Sequence, residues 1–408
     1  MARARLVPFA FRARRLGTAQ LLTNMHTDHP EWDLLLTACS APSNPEKLEE
    51  VLRPGRKPAA WDRILSLAEN HGVMPLLHQS LARMSNVIPP ETSLRLEQSF
   101  QTNIRKSLFL SRELIRIVES LTAAGIEVMP YKGLVLAEVV YGDIALRPAG
   151  DMDVLIHPTD VTKTLEIVGT LGYTPHVRYT GRLEREYLKS GYEYSFDGTA
   201  GPNLLEVQWA LQPRFYAVDY PLHELFARAM RVEVAGYPMK TPPMEQQFLV
   251  LSLHAAKHVW GRLIWLCDLQ RILQWPWLDW EWIGRRAREL GVVRILQVTM
   301  ALAERMLGTP PPAAAQKLAR DLEAKSLAKI IEKSIMSDKA FNVESLEYFR
   351  LMVRLRERLG DRMKFASRLI FTPGPGEWEA VPLPDALFGL YRVVRLGRVA
   401  GRMIPRSK

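Results

Sequence analysis

The sequence predicts an α+β fold: a small α/β unit of mixed sheet over roughly residues 125–215, flanked by N-terminal helices and a C-terminal all-helical domain. Three observations predict it. Apolar residues recur at helical spacing from residue 31 to 124 and again from 244 to about 369. Between these stretches the runs shorten and glycines punctuate them. At the centre stands Asp151-Met152-Asp153, two carboxylates one residue apart, leading into an apolar run.

Residues 31–53 and 60–84 carry helical spacing, with Trp61, Ile64, Leu65, Leu67 and Ala68 as one example. The segment from Asn44 to Pro58, holding Pro45, Pro54, Gly55 and Pro58, reads as their connection. A long helical pattern follows from Pro90 to Ala124, and Gly125 closes it as a C-cap. Ile126 to Met129 then reads as a strand and Leu134 to Val140 as a short helix. Asp151 to Ile156 reads as a strand, Pro158-Thr159-Asp160 as a helix start, and Gly172 as that helix's end. Tyr192 to Phe196 and Leu204 to Ala210 are further strands, turned by Gly198 and Gly201-Pro202. Helices are predicted over Met244–Val259, Leu263–Leu273, Trp280–Leu290 and Val293–Leu307, broken by Pro310-Pro311-Pro312 and resuming to about Leu369. Trp260, Trp265, Trp275, Trp277, Trp280 and Trp282 fall at helical spacing and read as core. The expected domains are a basic disordered extension (1–29), an N-terminal helical region (30–124), the α/β core (125–215), a helical domain (216–371), and a linker with a basic C-terminal helix (372–408).

Composition bounds the function. With 47% apolar and 24% charged residues the chain is ordinary for a globular protein. It holds no run of about 20 apolar residues, so no transmembrane segment is expected. Two cysteines, Cys39 and Cys267, cannot build a disulfide framework or a cysteine metal site, and they suggest a reduced, cytoplasmic protein. The net charge of +10 is terminal: residues 1–27 and 391–408 together carry +11, leaving the rest at −1. That distribution argues against a nucleic-acid groove across the body. Met25 is an expected alternative start to Met1. Arg392, Arg395, Arg398 and Arg402 form a helical stripe. The stripe is read as a terminal helix packed on its own protein with arginines in water, the alternative being weak contact with an anionic surface.

Residues i and i+2 of a strand share a face, so Asp151 and Asp153 present their carboxylates side by side. Like charges that close call for a cation. A third carboxylate is expected from Glu206, whose neighbours Leu205, Val207 and Trp209 alternate to the other face. Glu193 has the same alternation and is the rival. Lys132-Gly133 forms a loop able to approach phosphates, the glycine by letting backbone come close and the lysine as a point charge. Arg147 is expected either to contact nucleotide or to pair with Asp151. His254 and His258 share a helix face with Lys257 between them. The pair lacks a third zinc ligand, so His254, Lys257 and His258 are candidate substrate contacts at most. Asp268 is expected to pair with Arg262 or Arg271, and Tyr141-Gly142-Asp143 reads as a helix end and turn.

These residues resemble the DNA polymerase β-like nucleotidyltransferase superfamily, and more narrowly a bacterial group of nucleotidyltransferase family proteins. The matching text is Lys132-Gly133, Leu136 to Asp143, Arg147 and Asp151 to Ile156, then His254 to His258 and Arg262 to Asp268. The resemblance extends over roughly 30–395. It implies a minimal nucleotidyltransferase fold and magnesium-dependent transfer of a nucleoside monophosphate from an NTP, with pyrophosphate released. Asp151, Asp153 and Glu206 would be catalytic residues and ligands of two Mg²⁺ ions, and Lys132, Gly133 and Arg147 would bind nucleotide. The acceptor would be a small molecule, peptide, protein or RNA. The chain departs from the pattern at Leu134, where the superfamily has serine after glycine, and at Gln208, where the family often has histidine. The lost serine favours an alternative reading, a catalytically weak nucleotide-binding or protein-interaction module; a toxin-like modifier of tRNA or protein is a further alternative.

Overall fold

The computed structural model describes residues 29–41, 44–53, 60–84, 87–199, 201, 203–337, 341–342 and 345–403. Residues 1–28 of the expected 1–29 extension, the alternative start at Met25 and part of the 44–58 connection lie outside the described residues.

Four short helices open the fold: α1 (Pro30–Cys39), α2 (Pro45–Leu52), α3 (Trp61–Asn70) and α4 (Met74–Leu81). Two expectations are corrected here. The Asn44–Pro58 connection contains α2, because Asn44 caps it by accepting from the Lys47 N–H at 3.0 Å and Pro45 takes the first turn. The 60–84 pattern is two helices, since Gly72 at φ +70 breaks it. The long α5 (Pro90–Ala123) ends as expected. The N–H groups of Gly125 and Ile126 close back on the carbonyls of Thr122 and Leu121, with Gly125 at φ +78.

The central unit follows: β1 (Val128–Pro130), α6 (Gly133–Leu136) running into a π-turn to Tyr141, β2 (Met152–Ile156), α7 (Val161–Thr170), β3 (Tyr173–Pro175), α8 (Gly181–Ser190), β4 (Glu193–Gly198) and β5 (Leu204–Gln208). The strands form a mixed sheet of order β1-β2-β5-β4-β3, in which β2 and β5 are parallel and the other pairs antiparallel. After α9 (Leu222–Ala227) the chain was expected to be all helix. Instead β6 (Met230–Val234) and β7 (Tyr237–Thr241) form a hairpin. Ala235 and Gly236 at positive φ make its turn, and Val234 and Met239 bury against the sheet's core. Alternation at Val232/Val234 and Met239/Thr241 was its sequence signal.

Helices α10 (Met244–Lys257), α11 (Leu263–Leu273), α12 (Trp280–Leu290), α13 (Val293–Leu307), α14 (Leu322–Met336), α15 (Leu346–Arg354), α16 (Leu359–Phe371), α17 (Pro375–Ala380) and α18 (Tyr391–Met403) complete the fold. One core runs from Trp32 through Phe248, Trp260 and Leu302 to Leu369, so the N-terminal helices and the later helices share it. A second core joins the C-terminal half of α5 and α7 to one sheet face, through Leu114, Ile117, Val154, Ile156, Leu205 and Val207. Trp260 is buried as expected, but Trp277 is 77% exposed, outside any core. The C-terminal stripe is also corrected: Arg395 and Arg398 turn inward and pair with the buried Glu377 of α17, rather than standing in water.

Candidate active site

The sheet's other face carries the acids. Met152, Val154, Leu205 and Val207 point into the core, so by the two-residue period Asp151, Asp153 and Glu206 point away from it. The parallel pairing sets Asp153 directly opposite Glu206. Ligand oxygens of Asp151, Asp153 and Glu206 all lie within 4.8 Å of one another. Asp153 is buried, while Asp151 and Glu206 are half-buried.

Glu193 is tied to this group as a fourth carboxylate. It stands opposite Gln208 in the antiparallel β4–β5 pair. The Gln208 Nε2 lies 3.0 Å from Asp153 Oδ1, from Glu206 Oε2 and from Glu193 Oε2. Tyr131 donates its hydroxyl hydrogen to Gln208 Oε1 and so aims the amide N–H group at the acids. Gln208 stood out in the sequence only as a departure from a family pattern. Its position two residues after Glu206, on the same face, was the signal for this role.

Burial, then Asp153 and Glu193, push the Glu206 carboxyl up to about 9. Asp151 is also raised, by burial and by Asp153. One cation is in place: Lys132 Nζ lies 2.7 Å from Asp153 Oδ1. Burial opposes its charge, yet Asp153, Tyr131 and Glu206 hold the ammonium well above its ordinary pKa. A single ammonium leaves this carboxylate group in excess. Its all-oxygen donor set fits a hard divalent cation such as Mg²⁺.

The loop after β1 reaches the acids because Gly133 adopts φ +52. A Cβ there would meet the Asp151 carbonyl oxygen at 3.3 Å and the Ala149 side chain at 3.6 Å. Leu134, in the place of the superfamily's serine, is buried in the sheet core and brings no hydroxyl to the site. Gln247 of α10 donates to the Tyr131 carbonyl at 3.0 Å and holds this loop.

Arg147 bonds none of the three acids, although its charge acts on Asp151. Its guanidinium bonds Asp268 of α11 through Nε at 2.9 Å and Nη2 at 2.9 Å, and it is 7% exposed. Tyr141 donates to the same carboxylate at 2.7 Å. This corrects the expected partners of Asp268, which were Arg262 and Arg271, and of Arg147, which was Asp151. Arg271 instead lies over the Tyr141 ring at 4.4 Å. The clamp fixes the loop that leads into Asp151 to the helical region.

From α10, Lys257 donates to the Tyr192 hydroxyl at 3.0 Å and sits over its ring. Burial lowers the Lys257 ammonium to about 8, against the pull of Glu193 and Glu206. His254 and His258 pack with Trp265, at ring distances of 5.1 and 5.4 Å. Burial and Lys257 push His258 down to about 3, and burial with Lys132 and Lys257 holds His254 well below its ordinary value. Both rings are therefore neutral near pH 7. No metal-ligand group forms around them among the described residues.

No helix among the described residues is long and apolar enough to cross a membrane. The model of a family described as uncharacterised nucleotidyltransferase matches residues 57–308, more than half of the chain and the whole of the acid site. No curated protein and no solved structure matches the chain.

Proposed function

Because the chain belongs to the uncharacterised nucleotidyltransferase family, we propose that it moves a nucleoside monophosphate from an NTP to an acceptor hydroxyl or phosphate and releases pyrophosphate. The observation that carries this reading is the meeting of Asp151, Asp153 and Glu206 within 4.8 Å beside the Gly133 loop. Those three residues would hold Mg²⁺, which supplies charge neutralisation of the triphosphate and of the departing pyrophosphate. The protein's part is positioning. Gln208 orients the carboxylates, Gly133 lets backbone approach a phosphate, and Lys132 offers a charge that exchanges from Asp153 to phosphate once the acids are neutralised. Arg147 and Asp268 act as positioning residues that fix the loop bearing Asp151.

The test is pyrophosphate release with each NTP, Mg²⁺ and cell extract as acceptor source. Asp151→Ala with Asp153→Ala is expected to lower it by about 10²-fold or more, with an unchanged circular dichroism spectrum. Full activity in that variant refutes the assignment.

A second reading, a nucleotide-binding module with little turnover, is favoured by two observations. Leu134 supplies no hydroxyl, and Lys132 already occupies Asp153. Thermal stabilisation by an NTP with Mg²⁺ and without pyrophosphate release would select it.

A further inference from the structure

Beside the acids lies a cavity of about 480 Å³, a size typical of small-molecule sites. Tyr192 and Lys257, bonded to each other at 3.0 Å, belong to its lining, and Tyr192 directly precedes Glu193 and accepts at its carbonyl from the N–H groups of Trp209 and Ala210, just past Gln208. Glu193 acts on the Tyr192 hydroxyl, and Glu193, Glu206 and Asp153 act on the Lys257 ammonium. A group seated against these two side chains is therefore next to the proposed transfer site.

The walls have two origins. Tyr187, Tyr192, Phe215, Lys257 and His258 lie within the segment matched to the family, residues 57–308. Tyr348, Phe349, Thr372 to Gly376, Glu377, Arg395 and Arg398 lie beyond it. The proposed chemistry is housed in the matched segment, and the rest of the lining comes from residues that follow it.

The lining also has a chemical polarity. Five aromatic rings (Tyr187, Tyr192, Phe215, Tyr348, Phe349) line it. Elsewhere in the lining Arg395 and Arg398 share a single carboxylate, Glu377, which also accepts from the Gly374 N–H at 2.9 Å. Two guanidinium groups against one carboxylate leave this part of the lining positive. Positive lining repels amines, and guanidinium groups pair well with carboxylates.

We propose that this cavity is the acceptor site, and that it takes a flat, ring-bearing small molecule with an acidic group at the Arg395/Arg398 end and the accepting hydroxyl at the Tyr192/Lys257 end. The inference rests on the transferase reading above and deepens it. The acceptor's hydroxyl oxygen forms a bond to the α-phosphorus, the bond from that phosphorus to the β-phosphate oxygen breaks, pyrophosphate leaves with the electron pair, and the hydroxyl proton passes to water.

The test uses a matched pair of probes, 4-hydroxyphenylacetate and tyramine, which share ring and hydroxyl and differ in the sign of the end group. Calorimetric titration of the full chain, without nucleotide, is expected to show the acid binding at least tenfold more tightly than the amine. Thr372→Trp and Phe349→Trp, which fill the cavity from two different elements, are each expected to remove that binding while the protein still melts cooperatively. Equal or tighter binding of tyramine, no binding of the acid, or undiminished binding in both filled variants overturns the proposal. The two readings fail separately. Probe binding that the filled variants abolish, without pyrophosphate release under any NTP, removes the transferase and leaves the cavity. Extract-dependent pyrophosphate release that both filled variants retain removes the cavity and leaves the transferase.

Discussion

Asp153 and Glu206 face each other across the parallel β2–β5 pair, so the strand register itself forces two carboxylates together. The site relieves that repulsion by pushing Glu206 up to about 9, so its carboxyl keeps a proton near pH 7. Glu206→Gln keeps that shape and neutrality but cannot ionise to hold a metal ion. It is expected to leave the melting temperature in chelator unchanged or higher, while Mg²⁺-dependent transfer falls by about 10²-fold or more. A lower melting temperature with intact transfer would show that Glu206 is a structural residue.

Among the described residues Lys132 supplies the one ammonium that bonds an acid of the trio, at 2.7 Å from Asp153, with both side chains at or below 10% exposure. Removing one partner of a buried pair leaves the other charge uncompensated, at a cost of about 3–5 kcal/mol. Lys132→Ala is expected to melt lower than the parent in chelator and to recover most of the difference when Mg²⁺ is added, because a divalent ion neutralises the same carboxylates. Chelator and Mg²⁺ melting curves of both proteins test this. A deficit that Mg²⁺ does not reduce would separate Lys132 from any metal site.

The trio was legible in the sequence because strand alternation is strict: a two-residue period places Asp151, Asp153 and Glu206 on one face whatever surrounds them. The helices from α10 to α13 were legible for the same reason, their apolar period being continuous and their ends marked. The hairpin at 230–241 was missed because it is short and hides between helical runs. Arg147 with Asp268 was not legible as a pair. It joins segments far apart in the chain, and the side chains alone carry no record of which opposite charge they will meet. The same holds for Arg395 and Arg398, whose helical stripe says nothing of Glu377.

The Arg147–Asp268 clamp joins the loop before β2 to α11 and is nearly dry, with side chains 8% and 1% exposed. Arg147→Ala is expected to cost about 3–5 kcal/mol by stranding Asp268. Pairing it with Asp268→Asn removes that stranded charge and is expected to return part of the loss. Nucleotide affinity should follow stability across the single and double variants. If Arg147→Ala weakens NTP binding tenfold and the second substitution restores stability without restoring affinity, the guanidinium touches nucleotide directly.

His258 gives the fold a pH signature. Its ring packs against both His254 and Trp265, with Lys257 next to it and Lys132 acting from the β1 loop. Burial and those ammonium groups hold it at about 3 in the folded state, against about 6.5 when the chain is unfolded. Between those two values the unfolded chain takes a proton that the folded one refuses. Its contribution to stability is therefore fully present above about pH 6.5 and is lost as pH falls toward 3. His254 is depressed in the same direction and adds to the slope. Urea unfolding at pH 7.5 and at pH 5.0 is expected to show a lower midpoint in acid, and His258→Gln is expected to shrink that difference. Other groups titrate over the same range, but they are common to both proteins, so the change in slope between parent and variant isolates the ring. An unchanged slope would mean that His258 carries its proton in the folded protein, which the adjacent Lys257 ammonium opposes.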